Sequence, residues 1–201
     1  MELLADYARD PRDKVQSHIS AVWGLFDAES YAKRVLAHAV RPDGRLLVDR
    51  IAHLAQLRHL DWLEDLRIFL FRRCTDLEFL RHAEGFPLSS LTVRCRGKVS
   101  LSPLRAHPGL KGLYLHGAAE CGDLPALTAL TKLERLSLRY FEGTLDLDIL
   151  GQLPALKLLA LSKCGEMDLS LLADLDVTVR VDDAERFRGT EALGDRLHSL
   201  R

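Results

Sequence analysis

Leucine recurs along this chain in a fixed arrangement. Units with leucine, or a close apolar substitute, at the first, fourth and sixth places are LEDLRI from Leu63, LSSLTV from Leu88, LKGLYL from Leu110, LERLSL from Leu133 and LKLLAL from Leu156. They start 25, 22, 23 and 23 residues apart, and a shorter unit, LDVTV, follows at Leu175. A period of this length indicates a repeat protein in which each period is one structural unit.

A second apolar marker keeps the same period. After each strand-like unit an Asp or Ser precedes Leu-x-x-Leu, and these copies begin at Asp76, Ser100, Asp123, Asp146 and Asp168. An earlier copy, HLAQL, stands one period upstream. Leucines three apart lie on one face of a helical turn, and Asp or Ser is the residue type that caps a helix start. The marker predicts one short helix in each period.

The strand-like units predict which side chains face inward. Leu136 and Leu138 are two residues apart, so in an extended strand both point to the same side, while Ser137 and Arg139 point to the other. Each period is then a strand, a turn and a short helix whose leucines converge. One period cannot bury them alone, but stacked neighbours can.

This pattern resembles that of leucine-rich repeats over residues 45 to about 183. The resemblance implies an α/β fold, a right-handed leucine-rich-repeat solenoid with a parallel sheet on its concave side and short helices on its convex side. The best-known form of the repeat has Asn or Cys three residues past the second strand leucine. This chain has Phe71, Arg96, Ala118, Phe141 and Cys164 there, and only Cys164 conforms. We therefore expect irregular, unevenly curved coils.

Residues 1–44 predict a helical cap, similar to one unit of a helical repeat. The first helix has Asp10 as N-cap and Pro11 as its first residue. Its apolar stripe consists of Val15, Ile19, Val22 and Phe26. The second helix starts after Asp27 and sets Tyr31, Val35 and Ala39 inside. We expect the antiparallel pair to cover the open edge of the first strand.

The turn RPDGR at residues 41–45 ends the helical cap. About six leucine-rich repeats follow over residues 45–183, and residues 184–201 form a C-terminal cap or tail. In this tail Leu193, Leu197 and Leu200 stand at helical spacing, interrupted by Gly189 and Gly194.

The helical segment also resembles part of a larger class of receptor. YARDPRDKVQSHISAVWGLFDAESYAKRVLAHA is similar to the segment between the nucleotide-binding module and the terminal repeats of bacterial NACHT-type STAND NTPases, relatives of the NOD-like receptors. The recurring DL-x-x-L markers and the ending LLADLDVTVRVDD look like the C-terminal repeat arrays of those proteins. The resemblance implies a ligand-sensing or autoinhibitory region in bacterial defence, with the nucleotide-binding module of the larger receptor as one candidate partner. A free-standing leucine-rich-repeat adaptor with a single protein partner is the alternative.

Composition and motifs argue against most other functions. Lys plus Arg is 28 against 29 Asp plus Glu, so no charge excess favours nucleic acid, which stays the less favoured partner. Cys74, Cys95, Cys121 and Cys164 form no close pair, so we expect no metal. There is no P-loop, nucleophile elbow or dinucleotide fingerprint, so we expect neither a cofactor nor enzymatic activity. The N-terminus has no signal-peptide or membrane pattern, which favours the cytoplasm.

The outward strand positions carry the candidate binding site, because the core does not dictate them. In-register stacking predicts a column after the third leucine of each unit, made of Phe69, Arg94, His116, Arg139, Ser162 and Arg180. The predicted ligand-binding residues are Arg67, Phe69, Arg94, Tyr114, His116, Arg139 and Arg180. A basic column without an acid, beside an aromatic ring, suits an anionic ligand or an acidic protein face. The alternative interpretation is an ordinary solvated sheet surface.

Overall fold

Most of the strands form one parallel sheet in which spatial order follows sequence order. In a computed structural model, residues 2–41, 43–69, 77–143, 145–182 and 184–200 are described, without the side chain of Cys95. The strands are β1 Arg45–Val48, β2 Asp65–Phe69, β3 Ser90–Ser100, β4 Gly112–Gly122, β5 Arg135–Arg139, β6 Leu158–Ser162, β7 Met167–Asp168, β8 Thr178–Val181, β9 Phe187–Arg188 and β10 Leu197–Ser199. Eight of them form the main sheet, and β7 pairs with β9. Strand, turn and short helix alternate as predicted.

Alternation along each strand separates the core from an open sheet face. Leu136 and Leu138 are buried, whereas Ser137 and Arg139 are only partly covered. The same inward places are buried in the other units, because each strand stacks its leucines on those of its neighbours. The interior is therefore a continuous apolar column, and the outward places are free to vary.

The N-terminal cap contains three α-helices: α1 Glu2–Ala8, α2 Asp13–Ala21 and α3 Ala28–Arg34. The predicted start of the first helix is wrong, since α2 begins two residues after Pro11. The carboxylate of Asp10 instead accepts hydrogen bonds from Arg12. Asp27 caps α3 as predicted, accepting from the Ser30 N–H at 2.9 Å.

The predicted inner positions of the second helix are confirmed. Tyr31, Val35 and Ala39 are buried. The predicted stripe of the first helix is correct only in part, because Ile19 is buried but Phe26 is exposed beyond the end of α2. Phe26 instead stacks on the Tyr31 ring, with centroids 5.1 Å apart.

The opposite side of the coil carries short helical segments of one or two turns, mostly 3₁₀. After a one-turn α-helix, α4 Ile51–Leu54, 3₁₀ segments cover Leu57–His59, Glu78–Ala83, Ser102–Ala106, Leu124–Ala129, Leu147–Gln152, Leu169–Leu172 and Thr190–Arg196. A turn this short suits 3₁₀ geometry, because it closes its bonds one residue earlier. Their leucines are buried, as predicted, at Leu101, Leu104, Leu147 and Leu150.

The predicted caps of these turns hold at two positions. Asp146 and Asp168 accept hydrogen bonds from the backbone N–H two residues on. Asp123 does not act in this way: it has φ of 56° and accepts instead from Ser102 and Arg105 of the neighbouring turn. Asp76 lies outside the described residues.

The coils are irregular where the usual Asn is missing. Beyond their first halves, β3 and β4 continue as a second parallel ladder, and the register shifts between Arg94 and Lys98. Gly97 allows this bend with φ of 101°. Ala118 and Phe141 fill the place of the Asn with buried apolar groups, and the Cys164 thiol donates to the Leu138 carbonyl at 3.4 Å. Phe71 lies outside the described residues.

The tail forms more structure than its helical spacing predicts. Leu193 is buried in a 3₁₀ segment, while Leu197 begins β10, which extends the sheet beside β8. The guanidinium of Arg196 donates to the carbonyls of residues 172, 173 and 175. These bonds join the tail to the preceding coil. The division into a cap, repeats and a tail at residues 44 and 183 stays a prediction.

Candidate ligand-binding face

The central strands bring the predicted basic residues side by side. In register along the open sheet face come Phe69, Arg94, His116, Arg139 and Ser162. The guanidinium of Arg94 lies over the Phe69 ring, 5.1 Å from its centroid, a distance at which a cation is attracted by the ring face. We call Arg94, His116 and Arg139 the arginine–histidine cluster.

Arg180 does not belong to this column. It pairs in register with Ala160, and so lies in the row of Arg67, Tyr114 and Ser137. The prediction aligned Arg180 with Ser162, which is two residues away from its observed partner, Ala160. A shift of two residues keeps every side chain on the same face, so the apolar alternation cannot detect it.

An acid, not an arginine, lies next to Ser162. The carboxylate of Asp182 accepts from the Ser162 hydroxyl at 2.9 Å and from the Lys163 backbone N–H at 2.9 and 3.0 Å. The predicted absence of acid from the column is therefore wrong at this end. The cationic stretch is confined to the middle of the sheet.

The arginine–histidine cluster has unsatisfied polar atoms. The Nδ1 atom of His116 and the Nε atom of Arg139 are buried and have no hydrogen-bond partner among the described residues. Neither Arg94 nor Arg139 forms an ion pair within that part of the chain. Burial, followed by the charges of Arg94 and Arg139, lowers the pKa of His116. The imidazole is therefore neutral at pH 7 between two guanidinium groups.

Two residues that the sequence reasoning missed extend this positive region. Tyr140 and Lys163 directly follow β5 and β6 at equivalent places of their repeats, with φ of 57° and 51°. The Arg139 guanidinium and the Lys163 ammonium each lie 5.3 Å from the centroid of the Tyr140 ring. A hydrogen bond from Lys163 is the main cause that lowers the pKa of the Tyr140 hydroxyl. Their common repeat position was the signal that could have identified them.

Tyr114 lies flat along its own strand. Its ring covers the place where a side chain at Gly112 would stand, since a Cβ there would come within 2.9 Å of the ring. Glycine at this position therefore lets the phenol lie over residue 112, in the strand direction that leads away from His116. The ring adds an aromatic surface to the same open face.

The first strands show a different arrangement, which we call the Asp65 cluster: Arg45, Asp65 and Arg67. The Asp65 carboxylate lies 2.8 Å from Arg45 Nε and 3.1 Å from Arg67 Nη2. Burial acts to raise the pKa of Asp65, but the hydrogen bonds from Arg45 and Arg67 outweigh it and lower the pKa. The predicted site residue Arg67 is thus already paired within the protein.

The described residues hold neither a cluster of metal ligands nor a membrane-spanning helix. No three His, Cys, Asp or Glu side chains among them meet as metal ligands. No helix in the same part of the chain is both long and apolar enough to span a bilayer. Cys121 and Cys164 are both buried. On the sheet face, Arg94 and Arg139 remain without an acidic partner among the described residues.

Comparison with known proteins supports the fold. No protein-family model matches the chain, and no curated protein matches it significantly. An internalin (inlF) from Listeria monocytogenes str. 4b F2365 superposes with a TM-score of 0.53 at 20% identity, over 86% of this chain and 49% of that one. Internalins are leucine-rich-repeat proteins. The chain is a leucine-rich-repeat solenoid.

A second solved structure, internalin C2 (inlC2) from the same strain, has a TM-score of 0.49 at 17% identity, covering 86% of this chain and 84% of that one. The leucine-rich-repeat solenoid described here spans about half the length of the inlF chain. At such identities the likeness concerns the fold alone. Nothing in these comparisons bears on the NACHT-type receptor.

Proposed function

We propose that this solenoid is a non-catalytic recognition module whose open sheet face binds an acidic, extended segment of a partner protein. The observation that carries the proposal is the contrast in pairing on one face. Arg45 and Arg67 share the Asp65 carboxylate, whereas Arg94 and Arg139 have no acidic partner among the described residues. Guanidinium groups without a protein partner bind carboxylates strongly, because their bonds are charge-assisted.

The dimensions of the sheet favour a segment over a globular surface. Eight strands at about 4.8 Å spacing make a row of roughly 34 Å. With a width of about 10 Å, the row offers far less than the roughly 800 Å² per partner of a stable protein interface. An extended peptide of ten residues is about 33 Å long and matches the row. Aromatic faces at Tyr114 and Tyr140 would contact its side chains.

The biological setting of this binding has two versions. In the first, the chain is the ligand-sensing or autoinhibitory region of a bacterial NACHT-type receptor, and the acidic segment belongs to the ligand or to the nucleotide-binding module. In the second, it is a free-standing adaptor. Support for the first comes from the resemblance of the N-terminal helical segment. A P-loop module encoded in the same reading frame would favour the receptor, and its absence from the native gene would favour the adaptor.

Binding is tested with a fluorescein-labelled peptide of ten glutamates, with a ten-glutamine peptide as the neutral control. In fluorescence anisotropy we expect the variant Arg94→Glu/Arg139→Glu to weaken binding at least thirtyfold, or about 2 kcal/mol. Its melting temperature should stay unchanged, since both residues lie on the open face.

The matched control is Arg135→Glu, an exposed residue of β5 outside the cluster, in register with Gly112 and Leu158. It makes the same charge reversal as either one of the two substitutions but leaves the arginine–histidine cluster intact. If Arg135→Glu and a single Arg139→Glu variant lost equal affinity for the peptide, net charge alone would explain the loss. That result would refute the proposed site.

A further inference from the structure

The edge of the sheet at β1 is open in one short stretch. Bonds from the N–H groups of residues 64 and 65 to the Gly44 carbonyl fix which peptide groups face β2. By alternation, those of Leu46 and Val48 face β2, and those of Arg45 and Leu47 face outward. Asp43 and Arg41 satisfy the outward groups of Arg45, at 3.1 and 2.7 Å.

The outward N–H and C=O of Leu47 have no such partner in the described part of the chain. The side chain of Leu47 is also 47% exposed, which is unusual for a leucine of this sheet. An edge strand with free peptide groups can pair with another extended chain. Leu47 is therefore the point at which the sheet can be extended.

A groove of about 440 Å³ separates this edge from α2. Its helical wall presents small side chains, Ser17, Ser20 and Ala21, so the cap stands beside β1 without covering it. Arg50 narrows the groove at Gly24, where its guanidinium donates to the Gly24 carbonyl at 3.1 Å. This volume lies within the roughly 300–1,000 Å³ range of ligand pockets.

Two residues that line the groove, Gln16 and Arg41, each have one buried polar atom without a partner among the described residues. The Gln16 amide donates to the carbonyls of Ala8 and Asp10, at 2.8 and 2.6 Å, which fixes the orientation of the amide. Its Oε1 atom is left buried without a donor, and Gln16 is only 4% exposed. The Nε atom of Arg41 is likewise buried without an acceptor. Both atoms belong to residues that line the groove.

The groove is lined by equal numbers of arginine and aspartate side chains, three of each, and two of the aspartates have no ion pair with a described residue. Its three arginines are engaged: Arg41 with backbone carbonyls, Arg45 with Asp65 and Asp43, and Arg50 with Gly24. The lining acids Asp13 and Asp49, by contrast, form no ion pair with any described residue. A ligand with positive side chains would neutralise them.

From this arrangement we infer that the groove binds a basic, extended segment of a partner protein, which adds to β1 as a further strand of the sheet. Its backbone pairs with Leu47, an apolar residue covers the Leu47 side chain, and lysine or arginine residues approach Asp13 and Asp49. This surface differs from the sheet-face site, so each can be lost without the other.

The test begins with a phage-displayed library of random ten-residue peptides. Selection on the wild-type chain is followed by counter-selection on Ser17→Trp, which fills the groove from an exposed position. We expect peptides with an apolar residue flanked by lysine or arginine. The leading peptide is then synthesised and measured by fluorescence anisotropy.

Leu47→Pro should weaken its binding at least tenfold, because proline removes the outward N–H but is tolerated on an edge strand. Leu47→Ala, which keeps the N–H, should weaken binding less. N-methylation of the central residue of the peptide removes the reciprocal donor and should give a similar loss, which keeps the test decisive if Leu47→Pro unfolds.

Ser17→Ala and Arg94→Glu/Arg139→Glu should bind the peptide like the wild type. Recovery of no peptide that distinguishes the wild type from Ser17→Trp would overturn the inference. So would peptides that tolerate both N-methylation and Leu47→Pro. A loss caused by Arg94→Glu/Arg139→Glu would instead assign the peptide to the sheet face.

Discussion

The Asp65 cluster and the arginine–histidine cluster lie on the same sheet face and contain the same type of cation. In the first, Arg45 and Arg67 flank one carboxylate that is nearly buried; in the second, Arg94 and Arg139 flank a neutral imidazole. The central residue makes the difference. An acid between arginines satisfies them within the protein, whereas a neutral histidine leaves them able to bind an external anion.

This comparison separates a structural role from a recognition role among residues that look alike in the sequence. The Asp65 cluster joins β1 to β2 and contributes to stability. The arginine–histidine cluster contributes little to stability, since two like charges stand near each other without compensation. We expect substitutions in the two clusters to affect different measurements.

The largest stability effect is expected from Asp65→Ala, which should lower the free energy of unfolding by about 2 kcal/mol. It leaves two arginines without their acceptor, although their side chains are 48% and 40% exposed and regain part of their hydration. Chemical denaturation measures the change. Arg94→Ala, the matched control, should stay within about 0.5 kcal/mol of the wild type. Equal losses of unfolding free energy in both variants would show that the two clusters do not differ in their contribution to stability.

A smaller effect should follow when one cluster is converted into the other. His116→Asp places a carboxylate between Arg94 and Arg139, as Asp65 stands between its arginines. We expect a gain of up to about 1 kcal/mol in stability at low salt, together with loss of binding to the ten-glutamate peptide. His116→Asn is the neutral control. Retained peptide binding in His116→Asp would show that these arginines do not form the site.

The smallest effect concerns pH, because the two clusters titrate in different windows. The lowered pKa of His116 means that its protonation costs more in the folded chain. The stability that His116 contributes is therefore fully present above the ordinary histidine pKa of about 6.5. It is lost as the pH falls from that value to the lower pKa of His116 in the folded chain. The lowered pKa of Asp65 gives a share present above about pH 3.9 and lost as pH falls through the folded pKa.

Unfolding midpoints measured from pH 7.5 to 3 should separate these windows. His116→Gln should flatten the profile below pH 6.5 but only in part, since burial also lowers the pKa of His53 and His107. Asp65→Asn should flatten it near and below pH 4. A single transition shared by both variants would contradict the assignment.

Much of the fold could be predicted because the leucines repeat two markers at one period. They located the strands from β2 to β6, the turns opposite them and the outward places at Arg94, His116 and Arg139. The 3₁₀ form of the turns and the strand β10 were not predicted. A turn with two leucines three apart fits either helical type, and Leu197 follows Leu193 at a spacing that also suits a helix.

The candidate site was predicted less well than the fold. The sequence reasoning missed Asp65 because it examined only the two outward columns near the ends of the strands. It omitted Tyr140 and Lys163, whose left-handed backbone turns them back beside the cluster. These contacts depend on where neighbouring strands end, and the spacing of the apolar residues does not specify that.

The sequence alone determined that this chain stacks strand–turn–helix units and which strand positions point outward, because alternation and period follow from backbone geometry. Only the tertiary structure decided which outward charges are neutralised. Arg180 lies one row away from its predicted place, since a shift of two residues leaves the buried face unchanged and only hydrogen bonding between strands fixes the register. Pairing across strands likewise distinguished Arg67, held by Asp65, from Arg94 and Arg139, which stay available to a ligand.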